Sequence, residues 1–216
     1  MILLIGGEKG GTGKTTFAVN LAAMRMKDKG DVILIDAERT QPNTTFWCSM
    51  RDENDIVPRI PSVQKIGKNL RNDIIALRKK YEDVIIDTGG QDSLELRASL
   101  LAADVALMPL RPSQFDLWTL ARLDKLIGEI KTVNERLKVL ICFNQASTNP
   151  QVSETDDARK YFNEACFEHM ALANTTIYER ISYRKVALSG SSLMELGIDK
   201  KAENELNTLY KEIFNG

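Results

Sequence analysis

The chain has 216 residues, 43% of them apolar and 27% charged, with 29 basic against 30 acidic side chains and a formal net charge of −1. That is enough chain to close one sizeable core, so a single α/β domain over residues 1–216 is expected. The near-neutral balance excludes a global basic field for nucleic acid; any DNA contact must be a local patch, or one completed by dimerisation. The longest nearly apolar run, Leu100 to Leu110, is interrupted by Asp104 and is too short to span a bilayer. A first strand beginning at residue 2 predicts no secretory signal and a cytoplasmic location. Cys48, Cys142 and Cys166 are widely spaced with no C-x-x-C pair, and read as reduced thiols rather than a metal or iron–sulfur site.

The apolar run Ile2-Leu3-Leu4-Ile5 predicts a buried strand, and the stretch from Lys14 to about Lys29 predicts a helix. Between them lies Glu8-Lys9-Gly10-Gly11-Thr12-Gly13-Lys14-Thr15-Thr16. Strand, glycine-rich loop and helix in that order are the context a phosphate-binding loop requires. Glycines let the backbone turn tightly with N–H groups inward, and the helix start adds its positive dipole end. Gly10, Gly11, Thr12, Gly13, Lys14, Thr15 and Thr16 are therefore the candidate nucleotide-binding residues. Lys14 can reach the β- and γ-phosphates, and Thr15 can hold Mg²⁺.

The general pattern G-x-x-x-x-G-K-[ST] wants glycine at position 8, where this chain has Glu8, and Lys9 is an additional cation before the glycine pair. That departure resembles the deviant Walker loop, K-G-G-x-G-K-[ST]-[ST], of the ParA/MinD family of dimeric ATPases. The resemblance implies ATP and Mg²⁺ as cofactors, and a Lys9 that contacts the nucleotide of the partner subunit. An acid beside a phosphate site, as Glu8 is, must turn away from the anion or find a cation.

Asp31 to Glu38 reads as a parallel strand with Asp36 at its carboxyl end, where ligands of open α/β sheets bind. By resemblance, Asp36 orients the attacking water and supports the Mg²⁺ shell; a structural or helix-capping Asp36 is the alternative. The family's second aspartate is Glu38 here, and no catalytic role is assigned to it. Arg39 to Pro61, with three prolines, reads as loop around a short helix from Thr44 to Arg51, with Trp47 packed on the domain. Gly67 to Tyr81 is expected to be helical. Val84-Ile85-Ile86-Asp87 predicts another buried strand, and Asp87 fits a Walker B carboxylate near Mg²⁺, directly through water or through Thr15. The following Thr88-Gly89-Gly90-Gln91 sits where a γ-phosphate sensor belongs, and its two glycines predict mobility or unusual backbone angles.

Asp92 or Ser93 can cap a helix from Leu94 to Ala102. Ala103 to Asp116 resembles the family's A-D-x-x-h-x-P-x-x-P-S-x-x-D stretch, which implies a dimer face near this loop; Asp116 as a simple helix cap is equally open. Lys138 to Phe143 predicts a strand ending in Asn144. That residue resembles the family's adenine reader, and its amide offers both the donor and the acceptor that adenine N7 and N6 require; a turn asparagine is the alternative. Ser153 to about Met170 is expected to be one helix, with His169 near its end. Thr176 to Gly190 resembles the family's I-x-x-R-x-x-Y-R-x-A-x-x-x-G stretch. Its Arg180, Arg184 and Lys185 are the best local candidates for DNA phosphates, Arg184 first, against ordinary surface ion pairing. The last helix, Lys200 to Phe214, carries Glu203, Glu205 and Glu212, unlike a basic membrane-targeting tail.

The resemblance extends over roughly residues 1 to 214. It implies a doubly wound, mainly parallel sheet flanked by helices, which the alternating strand and helix patterns also indicate. It further implies an ATP-dependent dimeric switch for plasmid or chromosome partition. In that scheme the ATP-bound homodimer binds DNA nonspecifically, associates with the nucleoid and not with membrane, and hydrolyses when a centromere-binding or other adaptor protein stimulates it. Lys9, Lys14 and loop N–H groups would stabilise phosphate charge while Asp36 orients water. Two other readings stay open: a relative that positions a protein assembly or recruits a DNA-transfer apparatus, and a metabolic ligase or synthetase of a related P-loop fold.

Overall fold

Four consecutive apolar residues at the start of the chain are all buried, and the reason is position. They form the central strand of a sheet covered on both faces. The computed structural model describes residues 1–215. In order the elements are β1 (Ile2–Ile5), α1 (Lys14–Lys29), β2 (Val32–Ala37), α2 (Asn43–Glu53), β3 (Ser62–Gln64), α3 (Leu70–Arg78), β4 (Asp83–Thr88), α4 (Leu94–Leu100) and β5 (Val105–Leu110). They continue with α5 (Gln114–Leu117), α6 (Leu120–Lys131), β6 (Lys138–Phe143), α7 (Glu154–Ala165), β7 (Ala171–Leu172), α8 (Ile181–Ser189), α9 (Leu193–Leu196) and α10 (Lys200–Phe214).

The sheet runs β3-β2-β4-β1-β5-β6-β7, and every pairing is parallel. The chain winds outward from β1 to one side through β2 and β3, returns through β4, then crosses β1 to build the other side. That reversal opens a crevice beyond the carboxyl ends of β1, β4 and β5, the place where doubly wound sheets bind ligands.

Alternation sorts the two cores even where every strand residue is buried. Ile2 and Leu4 point with Ile33, Ile86 and Ile141 toward α3, α4, α6 and α7. Leu3 and Ile5 point with Leu34, Ile85 and Leu107 toward α1, α2 and α10. Each fully buried leucine or isoleucine contributes roughly 1.5–3 kcal/mol. The C-terminal helix follows the sequence reading residue for residue, with Leu206, Leu209, Tyr210 and Ile213 buried along one stripe.

Several expectations shift. The helix expected from Ser153 to about Met170 stops at Ala165, because Cys166 turns left-handed with φ 50°. His169 therefore lies beyond that helix, against Gly128 of α6, and is not a helix-terminal residue. Edge strands β3 and β7, only three and two residues long, were not visible in the sequence. They are too short to carry an alternation. No helix among the described residues is long and apolar enough to cross a membrane.

Candidate nucleotide site

The loop between β1 and α1 wraps the start of α1. Gly13 has φ 91° and its missing Cβ is where Asn144 Nδ2 sits, so glycine is required twice over there. Gly10, Gly11, Gly13, Lys14, Thr15 and Thr16 line a hollow of ≈ 420 Å³ with Glu38, Asp87, Thr88, Gly89, Gly90 and Gln145. Thr12 does not face it; that residue is 2% exposed and hands its carbonyl to Asn144. A wider hollow of ≈ 620 Å³ opens at the opposite pole, lined by mixed side chains such as Lys131, Lys138 and His169 rather than by a phosphate loop.

Lys14 is nearly buried, and its Nζ donates to Lys9 O at 2.6 Å. Burial lowers its pKa, while Asp87 and Glu38 pull the other way. Asp87 ends β4 beside it. Thr15 Oγ1 and Thr44 Oγ1 each donate to Asp87 Oδ2 at 2.7 Å, but Oδ1 is buried with no hydrogen-bond partner. Burial pushes the Asp87 carboxyl up to about 6. A desolvated carboxylate with one bare oxygen, next to a threonine hydroxyl and a lysine, fits a hydrated divalent cation shared with phosphate. Thr15 and Asp87 would hold Mg²⁺, and Lys14 with the loop N–H groups would hold the phosphates. No cluster of three metal-ligating side chains exists among the described residues, consistent with Mg²⁺ that takes its other ligands from water and nucleotide.

Asp36 is wholly buried and is not part of the hollow's lining. Its Oδ1 accepts from Glu38 N (3.1 Å), and its Oδ2 from Thr45 N and Thr45 Oγ1 (both 2.9 Å). The bond from Thr45 N satisfies one free N–H in the first turn of α2, which has Pro42 as N-cap and no side-chain cap from that residue. In this geometry both Asp36 oxygens are therefore occupied by β2–α2 contacts, outside the lining of the hollow. Glu38, two residues on, lines the hollow instead, held by Thr40 N (3.0 Å) and Thr40 Oγ1 (2.9 Å). Glu38 lies one residue beyond β2, where the chain has left the strand and turns toward the hollow.

The glycine pair after Thr88 serves close approach, not unusual angles: neither Gly89 nor Gly90 has positive φ. A Cβ on Gly90 would lie 2.6 Å from Gly10 N, and one on Gly89 would strike Glu38 Oε2. The sensor loop therefore lies directly on the phosphate loop.

Lys9 points outward, 41% exposed, with its Nζ 3.8 Å from Asp116 Oδ1. Ser113, not Asp116, caps α5. Glu8 turns away from the hollow toward Arg122 Nε at 3.4 Å; burial raises its pKa and Arg122 opposes the rise. At the far side, Asn144 Nδ2 donates to Thr12 O at 2.7 Å. One of its two amide N–H groups is spent on the loop, which leaves the other N–H and Oδ1. Gln145, left-handed at φ 57°, donates from Nε2 to Gly11 O at 3.0 Å, a conformation that costs roughly 1–2 kcal/mol. A second hollow of ≈ 360 Å³ begins here, lined by Arg111, Asn144, Tyr178, Tyr183 and Arg184, and shares Gly13, Thr16 and Gln145 with the first. The shared residues join the two hollows, one beside the glycine loop and the other beyond Asn144.

The described DNA candidates separate. Arg180 is half-buried in an ion pair with Glu205 of α10. Arg184 is exposed and paired with Glu179 at 2.6 Å, and Lys185 is exposed. Arg180 is therefore tied to α10, while Arg184 and Lys185 are the more accessible cations.

Residues 3–193 match the CobQ/CobB/MinD/ParA nucleotide binding domain. The chain belongs to that family. Among its relatives is the maintenance of carboxysome distribution protein A of Halothiobacillus neapolitanus, 24% identical over 213 residues, covering 98% of this chain and 95% of the relative. The chromosome partitioning protein ParA of Myxococcus xanthus is 25% identical, over 85% and 79% of the two chains. Among solved structures, apo McdA of Cyanthece superposes with TM-score 0.78 at 18% identity over 98% of both chains. MinD of Pyrococcus horikoshii with Mg-ADP gives 0.76 at 17%, over 99% and 95%. Membership of the CobQ/CobB/MinD/ParA family makes the cleft a nucleotide site, with the fold of ParA and MinD.

Proposed function

We propose that this protein is an ATP-hydrolysing dimeric switch of the ParA type that moves or positions a cargo, with plasmid or chromosomal DNA the first candidate. The observation that carries the reading is Lys9. It is a second loop lysine beside the phosphate hollow, exposed and held only by a 3.8 Å contact to Asp116. A cation placed there has no task inside its own subunit and is available to a nucleotide across a two-fold axis. Lys14 and the loop N–H groups neutralise phosphate charge, with Mg²⁺ adding Lewis-acid stabilisation when bound. Glu38 on the cavity wall orients the attacking water, the task the sequence reading gave to Asp36. Asn144 Oδ1 and its free amide N–H offer the acceptor and the donor that adenine N6 and N7 require.

The closed dimer would bind DNA phosphates through Arg184 and Lys185, and an adaptor protein would stimulate hydrolysis. The kinship with the carboxysome distribution protein, over nearly the whole of both chains, favours a second reading in which the cargo is a protein assembly. DNA binding measured with ATP, ADP and no nucleotide, at two salt concentrations, tests the switch: binding only with ATP and lost at higher salt supports it. Equal binding in all three states would sink it, and so would ATP-dependent dimerisation that survives Lys9→Ala unchanged.

A further inference from the structure

Arg111 follows β5 at the mouth of the cleft. Its guanidinium donates through Nε to Gln145 Oε1 (2.6 Å) and through Nη2 to Gly11 O (3.1 Å). Both acceptors are neutral. The other arginines around this rim are each paired with a carboxylate: Arg122 with Glu8, Arg39 with Glu95, Arg180 with Glu205 and Arg184 with Glu179. Arg111 has no carboxylate within ion-pair distance among the described residues. A guanidinium fixed by neutral acceptors keeps its full charge, and its remaining N–H groups, for an anion.

Its place in the cleft selects the anion. Arg111 lines the nucleoside hollow with Asn144 and Tyr178. Its two anchors belong to the phosphate hollow, Gly11 in the loop and Gln145 on the shared wall. The guanidinium therefore stands where the two hollows join. The part of a nucleotide that crosses that junction is the ribose and α-phosphate. Lys14 lies deeper, at the β- and γ-phosphate end, and Lys9 is turned outward to Asp116. We infer that Arg111 is a nucleotide-positioning residue that contacts the α-phosphate of the nucleotide held by its own subunit. Gln145 supports it: the left-handed backbone at that residue aims the carboxamide so that Gln145 and Arg111 converge on one carbonyl, Gly11 O. The clasp pre-forms the cation before nucleotide arrives, which limits the ordering cost of binding. The inference rests on the nucleotide-binding reading of the cleft and adds a contact to it.

Calorimetric titration of AMP, ADP and ATP into wild type, Arg111→Gln, Arg111→Lys and Lys14→Ala separates the possibilities. All three nucleotides share the α-phosphate, so Arg111→Gln is expected to weaken each by a similar factor of about 10. Arg111→Lys should recover part of that loss, and Lys14→Ala should weaken ADP and ATP far more than AMP. Wild-type affinity of Arg111→Gln for all three overturns the inference. So does a loss confined to ATP, which would place Arg111 on the γ-phosphate or on the partner's nucleotide. A loss that tracks a fall in melting temperature, and that lysine does not relieve, overturns it as well. Failure of the wild type to bind any of the three overturns instead the underlying nucleotide reading, so the two failures are distinguishable.

Discussion

Asp87 at the floor of the cleft and Asp36 behind it are buried, and Thr15, Thr44 and Thr45 donate to them. At the rim, Lys9, Glu38 and Arg111 are held by contacts that can be exchanged: a 3.8 Å ion pair, a nearby threonine, a backbone carbonyl. The floor carries the fold as well as the chemistry, because the same hydrogen bonds join β2 and β4 to α2. The rim is free of such ties between strands and helices, so the proposed chemistry and assembly would sit there without the fold depending on them. Floor and rim substitutions should therefore fail in different ways: floor residues through stability and turnover together, rim residues through turnover, affinity or dimerisation alone.

Lys14 gives the largest expected effect. Lys14→Ala removes a nearly buried cation aimed at the phosphates, and ATP turnover should fall by at least roughly 100-fold. The burial that lowers its pKa means removal also relieves a desolvation cost, so the melting temperature should hold or rise. A steady-state phosphate-release assay beside a thermal melt reads both. Full turnover in this variant would break the assignment of the cleft.

The neighbours Asp36 and Glu38 sharpen the comparison most directly. Glu38→Gln should cut turnover on the order of 100-fold with little change in melting temperature. Asp36→Ala should instead cost about 2 kcal/mol, because it strands Thr45 N–H and removes a side-chain cap on the first turn of α2. Chemical denaturation and single-turnover kinetics on both variants decide the matter. If Glu38→Gln hydrolyses normally while Asp36→Asn folds and does not, the water-orienting role returns to Asp36.

How much of this was readable beforehand depends on what fixes each feature. The phosphate loop was legible because its glycines, lysine and threonine are dictated by local backbone and ligand geometry, all within one short stretch. The sheet was legible because burial on both faces writes long apolar runs into β1, β2 and β4. The surroundings of Asp36 were not legible, because a strand-end carboxylate looks the same whether it faces a ligand or a helix N-terminus. Only the packing of α2, whose Pro42 start lacks a capping side chain, decides that. Arg111 and Gln145 gave no signal: they meet Gly11 from positions 100 and 134 residues away. Arg180 looked like Arg184 in sequence, and only the docking of α10 distinguishes them.

Asp87 supplies a pH test of the floor. Its carboxyl stands at about 6 in the folded protein against 3.8 for the ordinary group. The folded state therefore holds this proton more tightly than the unfolded chain does. This term favours the fold below about pH 4 and is lost as pH rises through about 6, a change on the order of 3 kcal/mol. Above pH 6 the nucleotide-free protein carries an ionised, poorly solvated carboxylate. Asp87→Asn should abolish that slope between pH 4 and 6 in denaturation experiments and sharply reduce turnover. Mg²⁺ favours the ionised form, so metal affinity of the wild type should weaken as pH falls below 6. An unchanged slope in Asp87→Asn would assign the pH dependence elsewhere.

The smallest expected effects lie on α8, where floor and rim behaviour recur away from the cleft. Arg180 is half-buried against Glu205, so Arg180→Gln should lower the melting temperature by about 2–4 °C per kcal/mol lost and leave the salt dependence of any DNA binding alone. Arg184 and Lys185 are exposed, and the Arg184–Glu179 pair is the surface kind whose loss costs about 0–1 kcal/mol. Their double replacement by glutamine should leave stability untouched. If both meet phosphates, it should also reduce the logarithmic salt slope of ATP-dependent DNA binding by about 2. Ile181 and Leu188 flank these two cations at one helical turn's spacing and are 71% and 73% exposed. Apolar side chains that large gain nothing from a phosphate backbone but do gain from a protein surface. An unchanged salt slope together with loss of adaptor-stimulated hydrolysis in Ile181→Ser/Leu188→Ser would therefore move this helix from the DNA face to the partner face.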